Sequence, residues 1–381
     1  MKICNCVKNS IWYDPRVRKQ ISEYVRRGVE VVAVGCMCPR YIKSEVDKIE
    51  CPVSIAKISP DYFKSGLSVF KKLYREMSTN YQMFKLIVDS KADIIHANDL
   101  NALIPAYFAS KKLKAKLVYD SHEIFIENPW VARFKVLHDL LFIVERKLLR
   151  KTDLLINVSN ASSDYMNDLY RIKSRVVVTN CISQTTLSTI KMQVKNEGFE
   201  VLNHGQFYEG RGYDIMVQAA PLLTDIPDVK LVLRGFGSME ERLRKDALQL
   251  GCSNVVFAPP VKTSELICCA SASHVGIAIT EQICLNFKLS ISNKIFEYAA
   301  AGLPVIMSNI PEHRYLNEKY HFGIILENDT PECLASAIRT LYSNKSLYDE
   351  LAENSMRLSR EITWENEFEK LLKEEERLLR R

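Results

Sequence analysis

Residues Asn286–Asn309 read NFKLSISNKIFEYAAAGLPVIMSN, and this stretch decides the fold class. Leu303–Met307 is a short apolar run introduced by Ala-Gly and closed by Ser308-Asn309, the pattern of a buried strand. Before it, Ser292-Asn293 is a helix-start signal, and Lys294–Ala301 is a run of helix formers ending at Gly302. Helix, glycine and strand make half of a βαβ unit. Within that helix Glu297 stands among Ile295, Phe296, Tyr298 and a run of alanines. An acid on such a helix faces either solvent or a polar ligand, and solvent is the commoner answer.

The same alternation extends in both directions. Lys2–Val7, Val29–Gly35, Asp93–Ala97, Lys116–Asp120, Asp153–Ser159 and Arg175–Thr179 are continuous Val/Ile/Leu-rich runs, which predict strands covered on both faces and therefore parallel. Helical patterns over Pro15–Arg27, Leu67–Val88, Leu100–Ser110, Arg133–Arg150 and Ala161–Leu169 separate them. A second set of strands follows at Glu200–His204, Lys230–Arg234, Asn254–Phe257, His274–Ile279, Leu303–Met307 and Gly323–Leu326. Polar, aperiodic Thr185–Glu197 lies between the sets. The α/β chain is thus expected to hold two tandem Rossmann-like, doubly wound domains, 1–185 and 199–362, with a linker over 186–198 and a charged amphipathic helix over 363–381. A crevice between the carboxyl ends of the two sheets is the expected ligand site.

Composition excludes several classes. With 381 residues, 47% hydrophobic and 26% charged, the chain has material for two cores and no low-complexity tract. No apolar run approaches a membrane span, and MKICNCVKN lacks the core of a secretory signal, so a cytoplasmic location is expected. Eleven cysteines without paired C-x-x-C spacing read as small buried hydrophobes in a reducing compartment, and no metal is expected. Residues 1–190 carry 30 Lys+Arg against 19 Asp+Glu, and the remainder 22 against 27. The basic first half is either a solvated surface or fits an anionic partner such as a membrane leaflet; no nucleic-acid motif accompanies it. Helical stretches 67–85 and 130–151 mix apolar and basic residues, as packing helices or leaflet-docking helices do.

Candidate chemistry lies at strand ends. The first strand is not followed by G-x-G-x-x-G, which removes the main support for a nicotinamide dinucleotide fold; Asp14-Pro15 there suits a helix cap and first turn. His96-Ala97-Asn98-Asp99 offers Asp99 as a helix cap or a substrate group. Tyr119-Asp120-Ser121-His122-Glu123 places a histidine beside two carboxylates, either an oriented catalytic imidazole or a satisfied structural one. Asn203–Tyr213 (NHGQFYEGRGY) is a glycine-rich turn that lets backbone N–H groups and Arg211 approach a phosphate.

Two of these blocks, YDSHE (119–123) and NKIFEYAAAGLPVI (293–306), together with looser matches from Asp14 to Trp364, resemble the retaining family 4 glycosyltransferases of GT-B fold. The resemblance implies a nucleotide-sugar donor, UDP- or GDP-linked, as substrate and no bound cofactor. It implies donor contacts at Gly205, Gln206, Arg211, Gly235, Pro260, Asn286, Asn293, Lys294 and Glu297, with Glu297 on the ribose hydroxyls. It places Arg16, Asp99, His122 and Glu123 on the acceptor side, and gives His122, Arg211 and Glu297 catalytic roles. The final helix is implied to cross back to the first domain. Gln206 stands where relatives carry an arginine, and Leu289 where many carry a second glutamate eight positions before Glu297. The implied reaction is transfer of a hexose-type sugar to a lipid-linked or polysaccharide glycan at the inner face of the cell membrane. A weakened subunit serving a partner transferase, and a sugar-nucleotide epimerase, are the alternatives.

Overall fold

A computed structural model of the chain describes residues 1–36, 49, 51–56, 68–226 and 228–380. Two units divide it: Met1–Thr179 with Glu367–Arg381, and Asn180–Asn366.

The first unit is built on β1 (Lys2–Val7), β2 (Glu30–Cys36), β3 (Val53–Ala56), β4 (Ile94–Asn98), β5 (Lys116–Ser121), β6 (Leu154–Asn157) and β7 (Arg175–Val177). Their order is β3-β2-β1-β4-β5-β6-β7, and every pairing is parallel. Central strands are buried throughout, as continuous apolar runs require. β3 is the strand that apolar patterning did not predict. It is four residues at the sheet edge, three of them half-exposed, with Ser54 inside it, too short and too polar to register. The helix Pro15–Arg26 starts as its sequence dictates, with the Asp14 carboxylate accepting from the N–H groups of Arg16 and Val17.

The second unit carries β8 (Phe199–Gln206), β9 (Val229–Phe236), β10 (Val255–Ala258), β11 (Val275–Ala278), β12 (Val305–Met307) and β13 (Gly323–Ile325) in the parallel order β10-β9-β8-β11-β12-β13. The α/β, doubly wound class expected of both sheets is thus present. Each has its order reversal beside its first strand, at β1/β4 and at β8/β11, the position where open sheets of this kind bind ligands. The stretch 286–309 forms a short helix Leu285–Leu289, the helix Asn293–Ala300, and β12. The polar segment after Asn180 opens with a short helix, Gln184–Thr189, capped by Ser183. Beyond it, Lys195 Nζ donates to the Ser273 carbonyl and Asn196 N to the Ala272 carbonyl.

From Glu367 onward the last helix, Trp364–Arg380, packs within the first unit. Phe368 meets the Tyr24 ring edge-on at 4.7 Å, Glu367 accepts from Thr179 N at 3.0 Å, and the Tyr24 hydroxyl donates to the buried Glu375 carboxylate at 2.7 Å. Cys4, Cys6 and Cys36 lie in the core, and burial pushes the Cys4 and Cys36 thiols up to about 12. Cys38 lies outside the described residues. Among the described residues no group of His, Cys, Asp or Glu is arranged to hold a metal, and no helix is long and apolar enough to cross a membrane.

At the end of β5 the wholly buried Asp120 takes both forks of Arg16, Nε at 2.9 Å and Nη2 at 3.0 Å, and a third bond from Gln20. Arg16 Nη1 also donates to the Val178 carbonyl at 3.0 Å. Burial would push the Asp120 carboxyl up, but Arg16, His122 and His96 outweigh it and hold the carboxyl well below the usual range. Burial would likewise lower the His96 imidazole, but hydrogen bonds with Asp120 and Glu375 hold it above its ordinary value. Asp120 therefore contributes stability present above its unfolded pKa of about 3.9 and lost as pH falls. His96 contributes stability fully present below about 6.5 and lost as pH rises through its folded value. Arg16→Met leaves Asp120 buried without its counter-ion, and a loss of about 3–5 kcal/mol is expected in urea unfolding of the full chain. A loss under about 1 kcal/mol, the scale of an exposed pair, would show that Arg16 is not structural.

Candidate active site

In the second unit β8 ends in Asn203-His204-Gly205-Gln206 beside the end of β9, Arg234-Gly235-Phe236, with Gly205 opposite Gly235. A Cβ on Gly235 would sit 1.8 Å from the Gly205 carbonyl oxygen, so only glycine permits the two loops to run this close. The helix Asn293–Ala300 starts beside these strand ends. Its N-cap, Ser292, makes no side-chain capping bond.

Glu297 projects from that helix with about a fifth of its side chain exposed, and accepts a hydrogen bond from His204 Nε2 at 2.7 Å. The His204 ring is buried against Tyr298, centroids 4.5 Å apart, and its backbone N–H donates to the Tyr298 hydroxyl at 3.0 Å. The carboxylate is therefore oriented rather than loose on the surface. His204 is a functional candidate that sequence reasoning missed. The NHGQ turn contained the signal, since a histidine at the last buried position of a strand needs a polar partner.

One turn earlier on the helix, Lys294 Nζ donates to Asn203 Oδ1 at 2.6 Å and lies 4.8 Å from the Tyr213 ring centre. Asn203, also missed, reaches the other way and donates to the Arg211 carbonyl at 3.2 Å. The Arg211 guanidinium lies 4.6 Å from the Phe287 ring centre and 5.2 Å from that of Tyr208. Its buried Nε has no hydrogen-bond partner among the described residues. Neither cation forms an ion pair with a carboxylate among the described residues. Burial pushes the Lys294 ammonium down to about 7, and the Arg211 charge adds to the shift. The Glu297 charge opposes the shift without cancelling it, so two basic groups bracket Asn203 with neither ion-paired to a carboxylate among the described residues.

Other predicted donor residues have simpler places. Gly205, Gln206, Asn293 and Pro260 are exposed, and Asn286 is buried in the short helix Leu285–Leu289. Arg234 Nη1 donates to the Pro259 carbonyl at 3.2 Å, steadying the Pro259-Pro260 loop. Leu289 is half-buried. Glu281 accepts from Gly212 N at 3.2 Å, its carboxyl held up by burial and by Asp214.

In the first unit, His122 follows β5. Its Nδ1 lies 3.5 Å from Asp99 Oδ2, and its Nε2 lies 3.3 Å from Asn98 Oδ1 and 3.8 Å from Asp120 Oδ2. Asp99 occupies the N-cap position of the helix Leu100–Leu113, but its side chain makes no capping bond. It adopts a left-handed backbone (φ +62°) that turns its carboxylate to accept from His122 N at 3.3 Å, the kind of strain found at functional turns. Burial pushes the Asp99 carboxyl up to about 6, against the pull of His122. Asn98 was not foreseen; it links His122 to the Asn5–Gln20 hydrogen bonds that end on Asp120. Glu123 instead accepts from Asn128 at 2.7 Å, and Arg16 is engaged with Asp120. The structure therefore brings together Arg211, Lys294 and Glu297 in one unit, and Asp99 and His122 in the other.

Two family models match the chain in tandem, Glycosyltransferase Family 4 over residues 16–183 and Glycosyl transferases group 1 over residues 198–344. No curated protein matches the sequence. Among solved structures, a sucrose-phosphate synthase from Thermosynechococcus elongatus superposes with a TM-score of 0.81 at 14% identity, covering 100% of this chain and 99% of that one. Anabaena Alr3699/HepE in complex with UDP gives 0.76 at 17%, covering 98% and 99%. WaaG, a glycosyltransferase involved in lipopolysaccharide biosynthesis, gives 0.67 at 16%, covering 94% and 95%. At such identities the likeness is one of fold.

The Lys294 ammonium has its own test. Competitive acylation of the full chain, mapped by mass spectrometry, is expected to show Lys294 reactivity rising through a midpoint near pH 7. Exposed Lys345 serves as the reaction control within the same chain. Addition of pyrophosphate should move the Lys294 midpoint upward; a midpoint above 9 without added anion contradicts the site electrostatics.

Proposed function

This chain belongs to the GT-B glycosyltransferases of family 4, and on that basis we propose that it transfers a sugar from a nucleoside diphosphate to a glycan acceptor with retention of anomeric configuration. The observation that carries the proposal is the pair of unneutralised cations, Arg211 and Lys294, beside the oriented carboxylate of Glu297. A donor diphosphate supplies the missing negative charge, and the orphaned Arg211 Nε is a ready donor to it. The ribose hydroxyls are the proposed partners of the Glu297 carboxylate, which His204 orients. UDP is the nucleoside diphosphate bound to the Anabaena neighbour, and a UDP- or GDP-sugar is the proposed donor here.

Departure of the nucleoside diphosphate breaks the bond between the anomeric carbon and the β-phosphate oxygen. The acceptor oxygen bonds to the same face of that carbon, and its proton passes to the departing diphosphate. Such a transfer asks the protein for charge stabilisation rather than a nucleophile. Arg211, Lys294 and the first N–H groups of the helix Asn293–Ala300 provide it. His122, held between Asp99 and Asn98, orients the acceptor in the first unit. A lipid-linked or polysaccharide glycan is the proposed acceptor, with contact to an anionic leaflet. In support, the helix Lys135–Leu149 and the residue before it leave Phe134, Val136, Leu140 and Ile143 exposed beside Arg133, Lys135, Arg146 and Lys147.

Calorimetric titration with UDP, and donor hydrolysis across a panel of UDP- and GDP-sugars, test the reading. Arg211→Ala is expected to weaken nucleotide binding roughly 30–100-fold, the loss of a charge-assisted contact, and Glu297→Ala roughly tenfold. His204→Phe keeps the ring but not the bond, and should approach the Glu297→Ala value. At pH 8 binding should take up close to one proton, because the anion raises Lys294 from about 7; affinity then falls as pH rises above 7, and Lys294→Met abolishes the uptake. A folded protein that binds no nucleotide on the panel refutes the proposal.

A further inference from the structure

The helix Val69–Asp89 has two apolar faces. Thr79, Met83 and Ile87 are buried inward. Outward, Phe70, Leu73, Tyr74, Met77 and Tyr81 recur at helical spacing and are exposed, Phe70 to 84% and Tyr74 to 74%. An ordinary surface helix turns polar residues outward, and a contiguous apolar stripe of this size marks a binding surface. Where this helix lies beside Leu100–Leu113, the stripe deepens into a groove of about 670 Å³ lined by Met77, Tyr81, Phe84, Ile104, Pro105 and Phe108. That volume is in the range of ligand pockets, ≈ 300–1,000 Å³.

Three cations stand at the groove. Lys85 Nζ is 4.6 Å from the Tyr81 ring centre, Lys112 Nζ 5.7 Å from that of Phe84, and Lys111 Nζ 5.8 Å from that of Tyr107. None pairs with a carboxylate among the described residues. Of the uncharged polar groups in the lining, the Asn80 amide oxygen accepts from Lys8 Nζ at 2.9 Å, which leaves the Asn80 amide N–H groups and the Tyr81 hydroxyl. A peptide laid here would bury more backbone N–H and C=O groups than these few can bond, at a cost a hydrocarbon does not incur. Adjacent Lys111 and Lys112 match a doubly charged head group at one end of an apolar chain.

We propose that this groove binds a single-chain lipid phosphate, with its hydrocarbon between the two helices and its phosphate on Lys111 and Lys112. It deepens the proposed function, because a lipid-linked acceptor carries such a chain and head, and it rests on that reading only for the identity of the lipid as acceptor carrier. The groove itself is tested without glycosyl transfer.

The full chain is titrated with dodecyl phosphate below its micelle concentration, and labelled with a diazirine-tagged analogue for mass-spectrometric mapping. Label is expected on Met77, Phe84 and Phe108. Phe108→Glu and the double substitution Lys111→Glu/Lys112→Glu, both at exposed positions, are each expected to weaken binding about tenfold or more with an unchanged melting temperature. Dodecyl maltoside and inorganic phosphate, each lacking one half of the ligand, should bind at least about tenfold more weakly than dodecyl phosphate. Equal binding by the variants, label outside the groove, equal binding of dodecanoate, or binding only to anionic vesicles would each overturn the proposal. UDP binding followed in the same proteins separates the two readings. Dodecyl phosphate bound without UDP sinks the transferase mechanism and leaves the groove; UDP bound without the lipid does the reverse.

Discussion

Every strand pairing in both sheets is parallel, and that constraint decides where polar side chains can be used. A parallel strand is covered on both faces by its crossover helices, so its middle is mostly apolar, and a polar group there, such as Asn5 or His96, needs a buried partner. Polar atoms needed for chemistry are displaced to the strand ends, where the chain leaves the sheet and backbone N–H groups are not yet committed. Asn98, Asp120, Asn203 and His204 all lie within the last four residues of their strands. The order reversal at β8/β11 keeps the loops there from closing over one another, so the end of β8 and the start of the helix Asn293–Ala300 share one opening.

The two units treat buried charge in opposite ways. In the first, Asp120 is surrounded by Arg16, Gln20 and two histidines, so the buried carboxylate has its counter-charge inside the protein. Breaking such an arrangement costs stability, so it fixes geometry around His122. In the second, Arg211 and Lys294 face each other's repulsion, moderated by the Phe287, Tyr208 and Tyr213 rings and the Asn203 amide. Aromatic faces offer a cation partial compensation without satisfying it. A protein gains nothing in stability from holding two cations so; the arrangement makes sense for a site completed by an anion.

Much of this was legible in the sequence, for identifiable reasons. Continuous Val/Ile/Leu runs located twelve of the thirteen strands among the described residues because burial on both faces leaves a run with few polar interruptions. β3 escaped because a four-residue edge strand with three half-exposed positions carries no such run. Arg211, Lys294 and Glu297 were legible as residue types in a glycine-rich turn and on a helix beside it. Their supports were not. Asn203 and His204 belong to a strand in the sequence pattern, and only the register of β8 against the helix Asn293–Ala300 shows that they meet Lys294 and Glu297. Arg16 read as a cleft cation, yet pairing across 104 residues of sequence absorbs it into the core. Long-range pairing of that kind leaves no local trace.

The depressed Lys294 ammonium connects these points. Its neutral form is favoured only while the site is empty, because burial and Arg211 oppose the charge and Glu297 alone does not balance them. On the proposed reading, an arriving diphosphate would reverse the balance, so the proton that Lys294 gains would become part of the binding free energy and be lost again when the anion leaves. Such a site would bind the charged leaving group more tightly than a neutral occupant of the same shape. In a transfer reaction, negative charge grows on the diphosphate as the glycosidic bond lengthens, and a cation strengthened by that growth stabilises the transition state more than the ground state. Asn203 is the residue that makes this possible: by accepting from Lys294 through a neutral amide rather than a carboxylate, it keeps the ammonium in place without fixing its protonation. An aspartate at 203 would hold the same geometry but neutralise the pair in advance, leaving Arg211 as the sole response to the departing charge.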